Sequence, residues 1–177
     1  MIRTHIQLCY DICHFAVGFE KSAEAISSIL KAGIRIGRIQ ISAALSSGVI
    51  HSEEEKSLAK EGLLEFNEPV YLHQAVIRDA KGRLARYQDL KPALDNWVNS
   101  PQSELRTHYH VPVFTERYGR LIPTQQDIKE VLQIWKEKNF TNHLEVETYT
   151  WDVLPEDKRT DIVSSVVREL EWVLQTL

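Results

Sequence analysis

Hydrophobic and polar residues alternate one by one in four short stretches, 6–11, 36–42, 106–114 and 143–148. A period of two is the mark of a strand with one buried face. Between the first two stretches, KSAEAISSILKAG sets Ala25, Ile26, Ile29 and Leu30 on one helical stripe, and Gly33 can close that helix in the left-handed conformation. Strand, helix and strand in about thirty-five residues is the size of a βαβ unit. Ser52 and Glu55 form a capping box that opens a helix toward Phe66. The run YLHQAVIRDAKGRLARYQDL then places an Asp79 to Gly82 turn between two extended arms, the pattern of a hairpin excursion. Thr124 with Asp127 caps a helix whose Ile128, Val131, Leu132 and Trp135 share a face. A last helix starts near Asp161, and Ile162, Val163, Val166, Val167, Leu170, Val173 and Leu174 are its predicted buried stripe. Strands alternating with helices predict a parallel sheet. No repeat, low-complexity tract or flexible linker divides residues 1–177, so the chain reads as a single unit.

Each predicted strand has one apolar and one polar face, because successive side chains point to opposite sides. Ile6, Leu8 and Tyr10 oppose His5, Gln7, Cys9 and Asp11; Ile39 and Ile41 oppose Gln40 and Ser42. Tyr109, Val111 and Val113 oppose His108, His110 and Pro112; Leu144 and Val146 oppose His143, Glu145 and Glu147. An open sheet covered by helices on both sides calls for apolar residues on both faces. A β/α barrel, whose inner face lines a site at the strand ends, accounts for the polar face better. Asp11, His108, His110, Glu145 and Glu147 are costly to bury unpaired, so they are expected to share an ion, a ligand or one another.

Composition narrows the partners. With 43% hydrophobic and 26% charged residues the chain can bury a substantial core, and a net charge of −4 offers no general field for a phosphate backbone. Nucleic acid is not an expected partner. No apolar run reaches the ~20 residues of a membrane span and the first residues do not resemble a signal peptide. Cys9 and Cys13 are too few for a disulfide framework. A cytoplasmic location follows as the expectation.

The candidate chemistry lies at the strand ends. Asp11 and His14 form D-x-x-H, a spacing that lets both side chains reach one point if the chain turns there. His108 and His110 lie on one strand face, as a metal or substrate pair or as satisfied core histidines. Glu147, nearer its strand end than Glu145, is the better ligand, and either carboxylate can belong to an ion-pair network instead. His73 falls in the hairpin excursion and Trp151, with Tyr149, beyond the last strand; either is a candidate for contact with substrate. Imidazole and carboxylate together suit Zn, Mn, Fe or Co. Such an ion polarises a carbonyl or alkoxide oxygen while a carboxylate moves a proton on the neighbouring carbon.

The segments LCYDICHF, IGRIQISAAL, YLHQAV, THYHVPVF and HLEVETYTWDVLP, in this order, resemble the C-terminal part of the metabolite traffic protein EboE family. That resemblance implies the C-terminal portion of a xylose-isomerase-like (β/α)8 TIM barrel, with sugar-phosphate isomerases, epimerases and an apurinic-site endonuclease among the wider relatives. It assigns metal-ligand roles to Asp11, His14 and Glu147, with Glu145, Glu147 or His110 in proton transfer. Gln40 falls where such relatives carry a histidine ligand, which leaves Gln40, His73, His108 and Trp151 as expected substrate contacts. The implied role is traffic of a small polar metabolite, a polyol or cyclitol precursor. The alternatives are a metal-dependent sugar-phosphate isomerase or epimerase and, ranked below it, an apurinic-site endonuclease. Four strands cannot close an eight-stranded barrel. The expectation is therefore that N-terminal strands are absent, and that this part of a barrel needs its missing half or self-association.

Overall fold

A computed structural model describes residues 5–97, 102–148, 154 and 161–177. The chain opens with strand β1 (Leu8–Asp11) and a short helix α1 (Ile12–Val17), followed by helix α2 (Ser22–Lys31) and strand β2 (Ile36–Ile41). β1 and β2 pair in parallel, so the expected βαβ unit is present. Helix α2 ends as its sequence predicts: Gly33 has a φ of 70° while its N–H and that of Ile34 return to the carbonyls of Leu30 and Ile29.

One residue beyond β2 the same run of chain enters a second sheet as β3 (Ala43–Ser46). Helix α3 (Glu53–Leu64), strands β4 (Ala75–Arg78) and β5 (Leu84–Tyr87), helix α4 (Leu90–Asn96), and strands β6 (Glu104–Val111) and β7 (Ile122–Pro123) follow. Helix α5 (Gln125–Lys138) then leads to β8 (Leu144–Val146), and helix α6 (Ile162–Thr176) ends the chain. β8 joins β2 in parallel and completes a sheet of order β1-β2-β8; the other sheet has the order β5-β4-β6-β3-β7 and is antiparallel throughout.

The parallel barrel portion expected from the sequence is therefore wrong. β6, expected as a further parallel strand, pairs antiparallel with both β3 and β4. The β4–β5 hairpin, closed at Gly82 with a φ of 77°, turns the chain back and delivers an antiparallel ladder. The polar face of β6 was read as facing a barrel interior. It lies instead against α1, where Arg106 donates to the carbonyl of Ala16 at 2.9 Å and His14 stacks on His108. Period-two polarity identifies a polar face but not what covers it.

The core lies on the other faces. Tyr10, Ile39 and Ile41 from the parallel sheet join Leu105, Tyr109 and Val111 of β6, with Ile26, Leu63, Ile128 and Val131 packed over them from helices. Two capping expectations divide. Ser52 accepts from the Glu55 amide at 3.2 Å, as predicted, with the Glu55 carboxylate returning to the His51 amide. Thr124 makes no cap bond to α5; its hydroxyl accepts from Ala44 at 3.0 Å and serves β3. α6 departs from its expected orientation: of the predicted stripe Val173 is buried as expected, with Ser165 and Glu169 beside it, while Ile162, Val163, Val166, Val167, Leu170 and Leu174 are exposed.

Candidate metal centre at the junction of two sheets

Asp11 ends β1 and caps α1. Its Oδ1 accepts from the Cys13 amide at 2.9 Å and the Ser42 hydroxyl at 2.8 Å, and its Oδ2 accepts from Gln40 Nε2 at 3.1 Å. Gln40 is held at its other end by the Cys9 thiol, 3.2 Å from Oε1. Gln40 is thus a positioning residue for the Asp11 carboxylate. Asp11, Gln40 and Glu145 are register partners across the parallel sheet, and Glu145 pairs with Arg38, whose Nε donates to Cys9. The polar face predicted for these strands is real, and Cys9, Asp11, Gln40, Ser42 and Glu145 on it are bonded to one another or to Arg38. An open cavity of about 630 Å³, lined by Cys9, Arg38, His143 and Glu145, extends from that row.

The imidazoles come from α1, which carries His14, and from β6 of the antiparallel sheet, which carries His108 and His110. The α1 turn swings His14 to within 3.8 Å of Asp11 Oδ2 and stacks its ring on His108, centroids 4.2 Å apart. His108 and His110 approach Nε2 to Nε2 at 3.1 Å, and His110 Nδ1 lies 3.1 Å from the Glu147 carbonyl. A carbonyl only accepts, so His110 carries its proton on Nδ1; its Nε2 then accepts from His108 Nε2–H, leaving His108 Nδ1 with the lone pair. Burial pulls His108 down to about 3, helped by the neighbouring His110 and His14, and pulls His110 down to about 4 against the opposing pull of Asp11. Both rings are held neutral, the form that binds a metal.

Glu147 stands beside the cluster, within the field of Asp11, but its carboxylate is in neither group of converging ligand atoms. Burial, with the Asp11 and Glu145 charges close by, raises its carboxyl above the usual range. Its buried Oε2 has no hydrogen-bond partner among the described residues. Asp11, His14 and His108 offer ligand atoms within 4.8 Å of one another, and so do Cys13, His108 and His110. Metal bonds of about 2.1 Å bring ligand atoms closer than that, so the half-free His14 must swing inward. The two groupings compete for His108. Burial and the Asp11 charge raise the Cys13 thiol well above its ordinary range, which keeps it protonated and disfavours the thiolate set.

The remaining candidates take other places. His73 is fully buried on the far side of β6, with Nδ1 3.0 Å from the His108 carbonyl and Nε2 2.8 Å from Glu68 Oε1. Its proximity to His108 is through the backbone. Trp151 and Tyr149 lie outside the described residues. Sequence reading did not single out Ser42 or Cys13 as members of the cluster. Alternation placed Ser42 on the Gln40 face, which was the available signal. Glu169 was missed as well: it is buried and accepts on Oε1 from both the Val113 amide and the Thr148 hydroxyl, tying the end of β6 to the residue after Glu147. Its position among apolar neighbours of α6 gave no warning of burial.

No helix among the described residues is long and apolar enough to cross a membrane. No family model matches the chain, and neither curated proteins nor solved structures show a similar protein.

Proposed function

We propose that this chain holds a divalent transition metal between Asp11, His14 and His108, with Glu147 as a further ligand, and presents it to a small polyhydroxylated metabolite. The observation that carries this reading is the convergence of Asp11 at the end of β1, His14 on α1 and His108 on β6, with ligand atoms within 4.8 Å. A buried Glu147 oxygen without a described partner and two rings kept neutral by burial support it. Mixed imidazole and carboxylate donors favour Zn, Mn, Fe or Co. The polar row that holds Asp11 continues to Arg38 and Glu145, which with His143 line an adjoining open cavity that none of the four ligands lines, with charged and polar groups for hydroxyls. The EboE-like motifs supply the class, a polyol or cyclitol precursor that is bound and passed on.

A second reading, isomerase or epimerase chemistry on the same ligand, is favoured by the raised Glu147 carboxyl. In that reading Glu147 stays off the ion, which Asp11, His14 and His108 hold, and its elevated proton affinity makes it a better base for a carbon-bound proton. Titration calorimetry of the full chain with Zn²⁺, Mn²⁺ and Co²⁺, repeated on His14→Ala, tests the common ground. The expected result is one ion per chain, weakened at least tenfold in the variant. Absence of stoichiometric binding, or equal binding by the variant, overturns the metal site. Turnover of a polyol by the loaded protein would select the second reading over the first.

A further inference from the structure

Phe19 has a left-handed backbone, with a φ of 56°. It follows α1 in a Schellman turn, where its amide returns to the Ala16 carbonyl at 3.0 Å and the Glu20 amide to the Phe15 carbonyl at 3.0 Å. Glycine is the usual residue at that place, because a Cβ there crowds the following carbonyl oxygen. Here a glycine stands one position earlier, Gly18, in an ordinary right-handed conformation with a φ of −69°. A large side chain that keeps a left-handed place is held there by its surroundings. The Phe19 ring lies between two guanidiniums, Arg78 at 4.4 Å and Arg106 at 4.5 Å from its centroid, a range at which a ring face attracts a cation. Both arginines are fixed in turn, Arg78 by Glu104 and Arg106 by Glu104 and Asp127.

What this clamp holds is α1. Six residues are too few to keep a helix by their own hydrogen bonds, so α1 takes its position from its two ends. Asp11 fixes the first end. At the other, Arg106 Nη1 donates to the Ala16 carbonyl at 2.9 Å, and Phe19 packs against a small apolar cluster of Cys13, Val17, Ala44 and Val76 that is separate from the main core. His14 stands between these ends, and its stacking partner His108 is two residues from Arg106 on the same face of β6. The clamp and the histidine stack therefore join the same two elements at neighbouring places.

We propose that Phe19, held between Arg78 and Arg106, is a positioning residue for the metal site, seating α1 on β6 so that His14 meets His108. The role rests on the metal site proposed above, but the seat of His14 can be read without metal. Phe19→Gly removes the ring and suits the left-handed backbone, and Phe19→Tyr keeps the ring. Arg78→Met removes one cation at a partly exposed side chain, and Glu104 keeps Arg106 and Ser46. In the metal-free full chain, nuclear Overhauser contacts between the His14 and His108 rings are expected in the parent and in Phe19→Tyr, and should be lost in Phe19→Gly. With Zn²⁺ as the probe, calorimetry should show affinity at least tenfold weaker in Phe19→Gly, weakened in the same direction in Arg78→Met, and restored in Phe19→Tyr. Glycine relieves the turn, so the thermal midpoint of Phe19→Gly should stay within about 4 °C of the parent. Ring contacts that persist in Phe19→Gly overturn the proposal whether or not metal binds. So does a midpoint that falls by more than about 10 °C in Phe19→Gly while Arg78→Met binds Zn²⁺ like the parent, since the ring is then merely structural. A parent that keeps the ring contacts and takes no Zn²⁺ overturns the metal site itself.

Discussion

Asp11 shows how much one side chain can be asked to do. It accepts three hydrogen bonds, begins α1 and holds the charge nearest His14. Asp11→Asn keeps an acceptor on the Cys13 amide and the Ser42 hydroxyl and removes the charge. Because the new Nδ2 faces the Gln40 Nε2 donor, the variant should lose about 1–3 kcal/mol of stability in urea denaturation, while Zn²⁺ binding by calorimetry falls by at least tenfold. A stability loss above about 3 kcal/mol would show that Asp11 is chiefly structural. The partnership of Asp11 with His14 was legible because three residues and one turn suffice to form it. That of His14 with His108 was not, since it depends on where β6 comes to lie. Gln40 read as a missing ligand, yet it orients the ligand beside it.

The elements divide between those whose signal is local and those decided by their neighbours. The βαβ unit, the hairpin at Gly82 and the Ser52 cap were legible because each is settled within a few residues of backbone. The direction of β6 was not, since alternation is the same for parallel and antiparallel strands. α6 shows the same limit: its most apolar residues suggest an inner face, but the helix is rotated so that Ser165, Glu169 and Val173 form it. Burial raises the Glu169 carboxyl, so its charge opposes the fold while its Oε1 supports it. Glu169→Gln retains the acceptor and removes that charge, and should leave the thermal midpoint unchanged or raise it. Glu169→Ala strands the buried Val113 amide and should cost about 1–3 kcal/mol. If Gln and Ala variants melt alike, the tie to Val113 and Thr148 contributes nothing.

At the scale of the whole molecule, the two neutral histidines make stability depend on pH. A histidine whose folded value lies below the unfolded 6.5 binds fewer protons in the native state. Stability therefore rises with pH through the window between the two values and is lost as pH falls. With His108 at about 3 and His110 at about 4, the metal-free protein should weaken steadily from pH 6.5 toward pH 4. The raised carboxyls of Glu147, Asp127 and Glu169 contribute with the opposite sign, while the lowered carboxyls of Glu104 and Glu55 act with the histidines. Urea midpoints at pH 7, 6 and 5 check this, and a midpoint that stays level or rises on acidification would show that the rings are not held neutral.

The single residue between β2 and β3 has a further bearing on how this protein comes together. Ser42 touches Asp11 and stands at the point where one run of chain leaves the parallel sheet and enters the antiparallel one. Asp11 and His14 come with β1 and the helix after it, and His108 comes with β6. Neither sheet alone makes a site, and the seating of β6 against α1 creates it. Metal uptake during refolding would then follow tertiary docking and not strand formation, so a binding signal would time the moment at which the two sheets meet.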